Sequence, residues 1–207
     1  MIRQTMRHPG LNLGQDHGAA HDHAETVVFG FWVFLMSDLI LFGLMFATYA
    51  TMLGATAGGP GPVQLFDLKS AFAQTMILLV SSLTFGGASL ALRHHLGTSK
   101  IILWLVITFV LGAAFLTLEL RDFAAMIAQG AGPQRSGYLS AFFGLVPLHG
   151  LHVTAGMLWI LVMIVQIKTL GLVPVVKTRL LRLALFWHFL DLIWVGIFSV
   201  VYLAGLA

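Results

Sequence analysis

The sequence predicts an all-α integral membrane protein: five transmembrane helices in one bundle, N-terminus cytoplasmic and C-terminus periplasmic. Three observations carry this reading. The 207 residues are 58% hydrophobic and only 9% charged, where a soluble domain carries about 25% charged residues. The apolar residues fall in long continuous runs, not in the short alternating segments of an outer-membrane barrel. The basic residues collect on one side of those runs.

Each run reaches the ~20 residues that a spanning helix needs. The runs cover 27–53, 70–92, 101–128, 138–167 and 180–206. The fourth is long enough to tilt or to extend beyond the bilayer. Between them, the stretches at 54–62, 97–99, 130–133 and 171–174 contain Gly, Pro or both and read as loops. Residues 1–26 are polar, with Gly and His prominent, and predict a flexible cytoplasmic tail ahead of a membrane domain at 27–207. With no short apolar core directly behind the basic N-terminus, the first run is expected to stay as a signal anchor.

Orientation follows from charge. An inside N-terminus puts Arg3, Arg7, Arg93, Lys100, Lys168, Lys177, Arg179 and Arg182 in the cytoplasm and leaves Lys69, Arg121 and Arg135 outside. The same distribution argues against nucleic acid as a partner, because the basic residues lie at helix ends and form no patch. The chain has no cysteine. That excludes disulfides, thiolate metal sites, iron–sulfur clusters and covalent c-type haem attachment.

Polar residues inside the runs are the candidates for function, since a central charge costs roughly 2.5–3.5 kcal/mol on insertion scales. Asp38 in the first run, read as about two turns from its cytoplasmic end, is either a protonatable group, a lipid-headgroup contact or a neutral interhelical hydrogen-bonding group. Glu119 and Asp122 share a face of the third run, and Arg121 either reaches the interface or pairs with one of them. His149 and His152 share a face of the fourth run, as do His188 and Asp191 on the fifth. Three intramembrane histidines raise a metal or haem reading. The competing reading makes these His, Asp and Glu side chains polar fasteners that satisfy one another across helices. In the tail, His8, Asp16, His17, His21, Asp22 and His23 offer a second metal-binding alternative. Small residues at Ser81, Ser82, Gly86, Gly87 and Ser89, and at Gly144, Gly150 and Gly156, mark where helices pack closely.

Taken together the runs resemble subunit III of the haem–copper oxidases, over residues 29–203. His149, Gly150, His152 and Val153 match that family's HG-x-HV motif. Trp187, His188, Phe189, Asp191 and Trp194 match its WHF-x-D-x-x-W motif. Ser37 and Asp38 stand at the family's Ser–acid pair, with Asp where many cytochrome c oxidase members have Glu. The blocks at 81–86 and 114–119 are also similar. Five spans, with the stretches at 36–38, 44–49 and 135–143, most resemble the bo-type ubiquinol oxidase form.

The resemblance implies a complex that oxidises ubiquinol, reduces oxygen to water and pumps protons across the bacterial inner membrane. It places the haems and copper, with the ubiquinol, in subunit I, and no redox centre, catalytic residue or metal ligand in this chain. It implies packing against subunit I, association with subunits II and IV, and bound phospholipid. Asp38, His94 and His95 are then candidates for lipid contact or proton uptake, since imidazole titrates near neutral pH. Glu119, Arg121, Asp122, His149, His152, His188 and Asp191 are structural fasteners. The alternatives are subunit III of a cytochrome c or menaquinol oxidase, a nitric oxide reductase accessory subunit, and an autonomous small transporter or channel. The last lacks the paired interrupted helices that build midplane substrate sites.

Overall fold

The computed structural model describes residues 19–206. In chain order they form α1 (Ala19–Met52), α2 (Pro62–Leu65), α3 (Leu68–Arg93), α4 (Thr98–Ala128), α5 (Gly137–Leu170), α6 (Pro174–Ile197), a π-helical stretch (Phe198–Leu203) and α7 (Ala204–Leu206). Five helices, α1, α3, α4, α5 and α6 with its π-helical continuation, are long and apolar enough to cross a membrane. Among the described residues there is no strand.

Two boundaries differ from expectation. The backbone is already helical at Ala19, inside the segment read as a tail. The last span starts at Pro174 and not at 180. Proline fits the first helical turn, where its missing N–H would have had no partner. Lys177, Arg179 and Arg182 are half-buried in the first turns of α6, and long basic side chains lie along apolar surface with their heads at the interface. The basic residues expected at the end of this run lie within α6 itself. Residues 1–18, with His8, Asp16 and His17, lie outside the described residues, as do the side chains of His21, Asp22 and His23.

The helix starts have local causes. Asp67 accepts from the Lys69 amide at 2.9 Å, and Ser136 accepts from the Leu139 amide at 3.2 Å. α3 packs on α4 and α6, while α5 packs on α6, α4 and α1. α1 leans mainly on α5 and α6 and is the least covered span. Glycines let the tryptophans in. A Cβ on Gly112 would lie 3.0 Å from the Trp187 ring and one on Gly156 would lie 3.1 Å from it, while Gly87 faces Trp104 in the same way at 3.0 Å. Trp187 therefore fills the space between α4 and α5 from its position on α6.

Candidate functional site: an intramembrane polar layer

The seam between the antiparallel helices α3 and α6 is a ladder of side-chain hydrogen bonds. Trp187 donates its indole N–H to Ser81 at 3.2 Å, and Trp194 donates to Thr75 at 3.1 Å. Each hydroxyl spends its own proton on a carbonyl of its helix: Ser81 on Leu78 at 2.7 Å, Thr75 on Ala71 at 2.8 Å. The lone pairs left over receive the indoles. Next to the Trp187–Ser81 rung, Ser82 and His188 Nδ1 lie 2.7 Å apart on the outer flank. One turn further along α6, Asp191 has a buried carboxyl oxygen with no hydrogen-bond partner.

His149 is fully buried. Its Nε2 lies 3.1 Å from the carbonyl of Leu190, so Nε2 carries the proton and donates. The ring is enclosed by Phe115, edge-on at 5.8 Å, by Trp194 at 5.2 Å and by Phe42 at 6.5 Å. His152 also meets Phe42, at 5.2 Å, so the two histidines do share a side of α5. Their partners differ. His152 Nδ1 donates to its own helix at the Leu148 carbonyl, 2.8 Å away, and its Nε2 faces Asp38 on α1 at 3.8 Å. At that distance the two groups face each other without a hydrogen bond, and the Asp38 oxygen has no hydrogen-bond partner among the described residues.

Beside these histidines, on α4, Glu119 is buried, with one carboxyl oxygen unpartnered. Its other oxygen lies 2.7 Å from where a Cβ on Gly150 would be, so the glycine of the HG-x-HV motif is the space Glu119 occupies. Asp122 accepts from Ser70 and Gln74, both at 2.7 Å. Arg121 is exposed, and among the described residues no ion pair joins it to Glu119 or Asp122. Of these side chains, His149 turns to a carbonyl, His188 to a hydroxyl and Asp122 to a hydroxyl and an amide, while His152 faces Asp38 and Glu119 keeps an unpartnered oxygen. A neutral partner satisfies a buried acceptor without taking a second charge out of water.

Asp38 lies at the middle of the span Glu25–Met52, deeper than the two turns read from the sequence. His94 and His95 are exposed at the end of α3. At 1.5 Å per residue Asp38 is roughly 20 Å from its own end of the span, so the three proton-uptake candidates do not form one cluster. Among the described residues there is no group of three or more His, Cys, Asp or Glu side chains able to hold a metal ion.

Comparison with known proteins decides the family. Residues 12–206 match the family model described as cytochrome c oxidase subunit III. The chain belongs to this subunit III family. It is 51% identical to the cytochrome bo(3) ubiquinol oxidase subunit 3 of Pseudomonas aeruginosa, over 93% of this chain and 92% of that one. It is 39% identical to the quinol oxidase subunit 3 of Bacillus subtilis, over 86% and 87%. It is 41% identical to the cytochrome c oxidase subunit 3 of Bacillus sp. PS3, over 86% and 85%. The subunit III chain is a multi-pass membrane protein, and its own residues explain both motifs: Gly150 admits Glu119, and the two motif tryptophans are received by α3. The receiving residues on α3 were not singled out as partners. Ser70 and Gln74, one turn apart on α3, both reach Asp122, and that polar spacing was the available signal. Ser81 and Ser82, expected from the sequence as small packing residues in a family-like block, also carry hydrogen bonds.

Proposed function

We propose that the chain is the non-catalytic subunit III of a proton-pumping terminal oxidase that oxidises ubiquinol and reduces oxygen to water. The observation that carries this is the 51% identity, along nearly the whole of both chains, to a subunit named for ubiquinol oxidation. Its role is to pack against subunit I, which holds the haems and copper, and to stabilise it alongside subunits II and IV. The bundle is rigidified for that task by hydrogen bonds between its own helices. In this reading the end of the bundle carrying Arg93, His94, His95 and Lys100 faces the cytoplasm of the bacterial inner membrane. Phospholipid covers apolar surface left open by the least covered helix, α1. His94 and His95 collect protons at the uptake surface, and the pair of Asp38 and His152 holds a proton deeper in.

Purification in mild detergent tests the reading. Haem–copper subunit I should co-purify, the complex should oxidise ubiquinol, and the isolated chain should show no haem spectrum. A haem spectrum from the isolated chain, or purification without an oxidase, refutes it. Cytochrome c as electron donor is the second reading, favoured by the 41% identity to a cytochrome c oxidase subunit. Turnover with reduced cytochrome c and none with quinol would select it.

A further inference from the structure

The polar layer is not wholly internal. His188 lies at the middle of the span Pro174–Leu203, Ser82 near the middle of Leu68–Arg93, and the His188 side chain is exposed on the flank of the bundle. Ser82 is its sole hydrogen-bond partner among the described residues, and it engages only Nδ1. If Ser82 donates to Nδ1, Nε2 carries a proton with no acceptor. If Nδ1 donates to Ser82, Nε2 keeps a lone pair with no donor. Either way, a polar nitrogen at bilayer mid-depth lacks a partner within the chain, a costly arrangement in hydrocarbon.

The surroundings have the shape of a seat. Leu192, one turn along α6, is 65% exposed, and Leu83 beside Ser82 is 75% exposed. Gly86, one turn from Ser82 on α3, has open space where a Cβ would stand. The spacing Ser82-x-x-x-Gly86 lets another helix backbone approach closely.

We propose that this flank, formed by Ser82, Leu83 and Gly86 of α3 with His188 and Leu192 of α6, seats a transmembrane helix of another oxidase subunit. That helix presents a hydrogen-bonding group to His188 Nε2. Lipid does not fit the need. Headgroups stand about 15 Å from mid-depth, half of a ~30 Å hydrocarbon core, and acyl chains offer no donor or acceptor. The inference rests on the reading of the chain as an oxidase subunit.

Photo-crosslinking in the complete oxidase, in its membrane, tests it. p-Benzoyl-phenylalanine is placed at Leu192 and, separately, at Leu83. Irradiation should join this chain to another subunit of the complex from both positions. Adducts with lipid alone, or with a second copy of this chain, overturn the proposal. In parallel, His188→Leu should lower the fraction of oxidase that keeps this subunit through detergent purification by about three- to tenfold, the value of one interhelical hydrogen bond in a membrane. Full retention also overturns it. The crosslinks do not depend on the folding of that variant. If no haem–copper subunit co-purifies with the unaltered chain, the functional reading fails together with the inference. If one does and the adducts are lipid, the inference alone fails.

Discussion

Trp187 reaches across from α6 to Ser81 on α3 at 3.2 Å while its ring fills the hollows left by Gly112 and Gly156. One side chain thus ties together four helices, α3, α4, α5 and α6. The indole N–H gives direction to a contact that packing alone would leave free to slide.

Removing either indole acceptor should loosen this seam. Ser81→Ala and Thr75→Val should each cost about 0.6–1.7 kcal/mol, read as a lower temperature at which the subunit leaves the purified complex. A double-mutant cycle of Ser81→Ala with Trp187→Phe should show coupling, because both changes remove the same bond. Additive losses would mean that the bond contributes nothing.

Gly150→Ala places a Cβ 2.7 Å from a Glu119 oxygen. Overpacking of this kind costs about 1–3 kcal/mol, so the variant should accumulate poorly in the membrane. Adding Glu119→Ala should restore accumulation, since the clash leaves with the carboxyl. Glu119→Gln should not, because it keeps the volume.

Gly156→Leu should push the Trp187 ring out of its hollow and break its bond to Ser81 together with the α5–α6 contact. Intrinsic fluorescence of the purified subunit should shift to the red as the indole meets a more polar setting. An unchanged emission maximum would show that Trp187 does not need that space.

Proton supply is tested by pH. The triple change Asp38→Asn, His94→Gln and His95→Gln should slow turnover most at high pH, where protons are scarce and collecting groups matter. Turnover equal to that of the unaltered oxidase at every pH counts against the role. Because Asp38 lies near mid-depth and the two histidines at the surface, the single changes should act additively.

Much of this architecture was legible in the sequence. Run length and the Gly- and Pro-containing breaks located the five spans, and the glycines announced close packing. The partners of the polar residues were harder to read. Spacing along one helix fixes which face a residue shares, but not what faces it across the gap. His149 and His152 lie three residues apart, yet one bonds Leu190 on α6 and the other faces Asp38 on α1. Asp122 and Arg121 are neighbours in sequence, but the acid turns inward to Gln74 and the arginine outward. The start of α6 lies six residues ahead of the apolar run, because Pro174 suits the first helical turn and the long stems of Lys177 and Arg179 lie along apolar surface.

α1 leans chiefly on α5 and α6. The ribosome therefore makes α1 well before the two helices that hold it have been threaded into the bilayer. The hairpin of α3 and α4 can close early, while α1 waits beside it. A chain cut short before residue 137 would leave α1 without either of the helices it leans on, so the seating of α1 reports that α5 and α6 have been made.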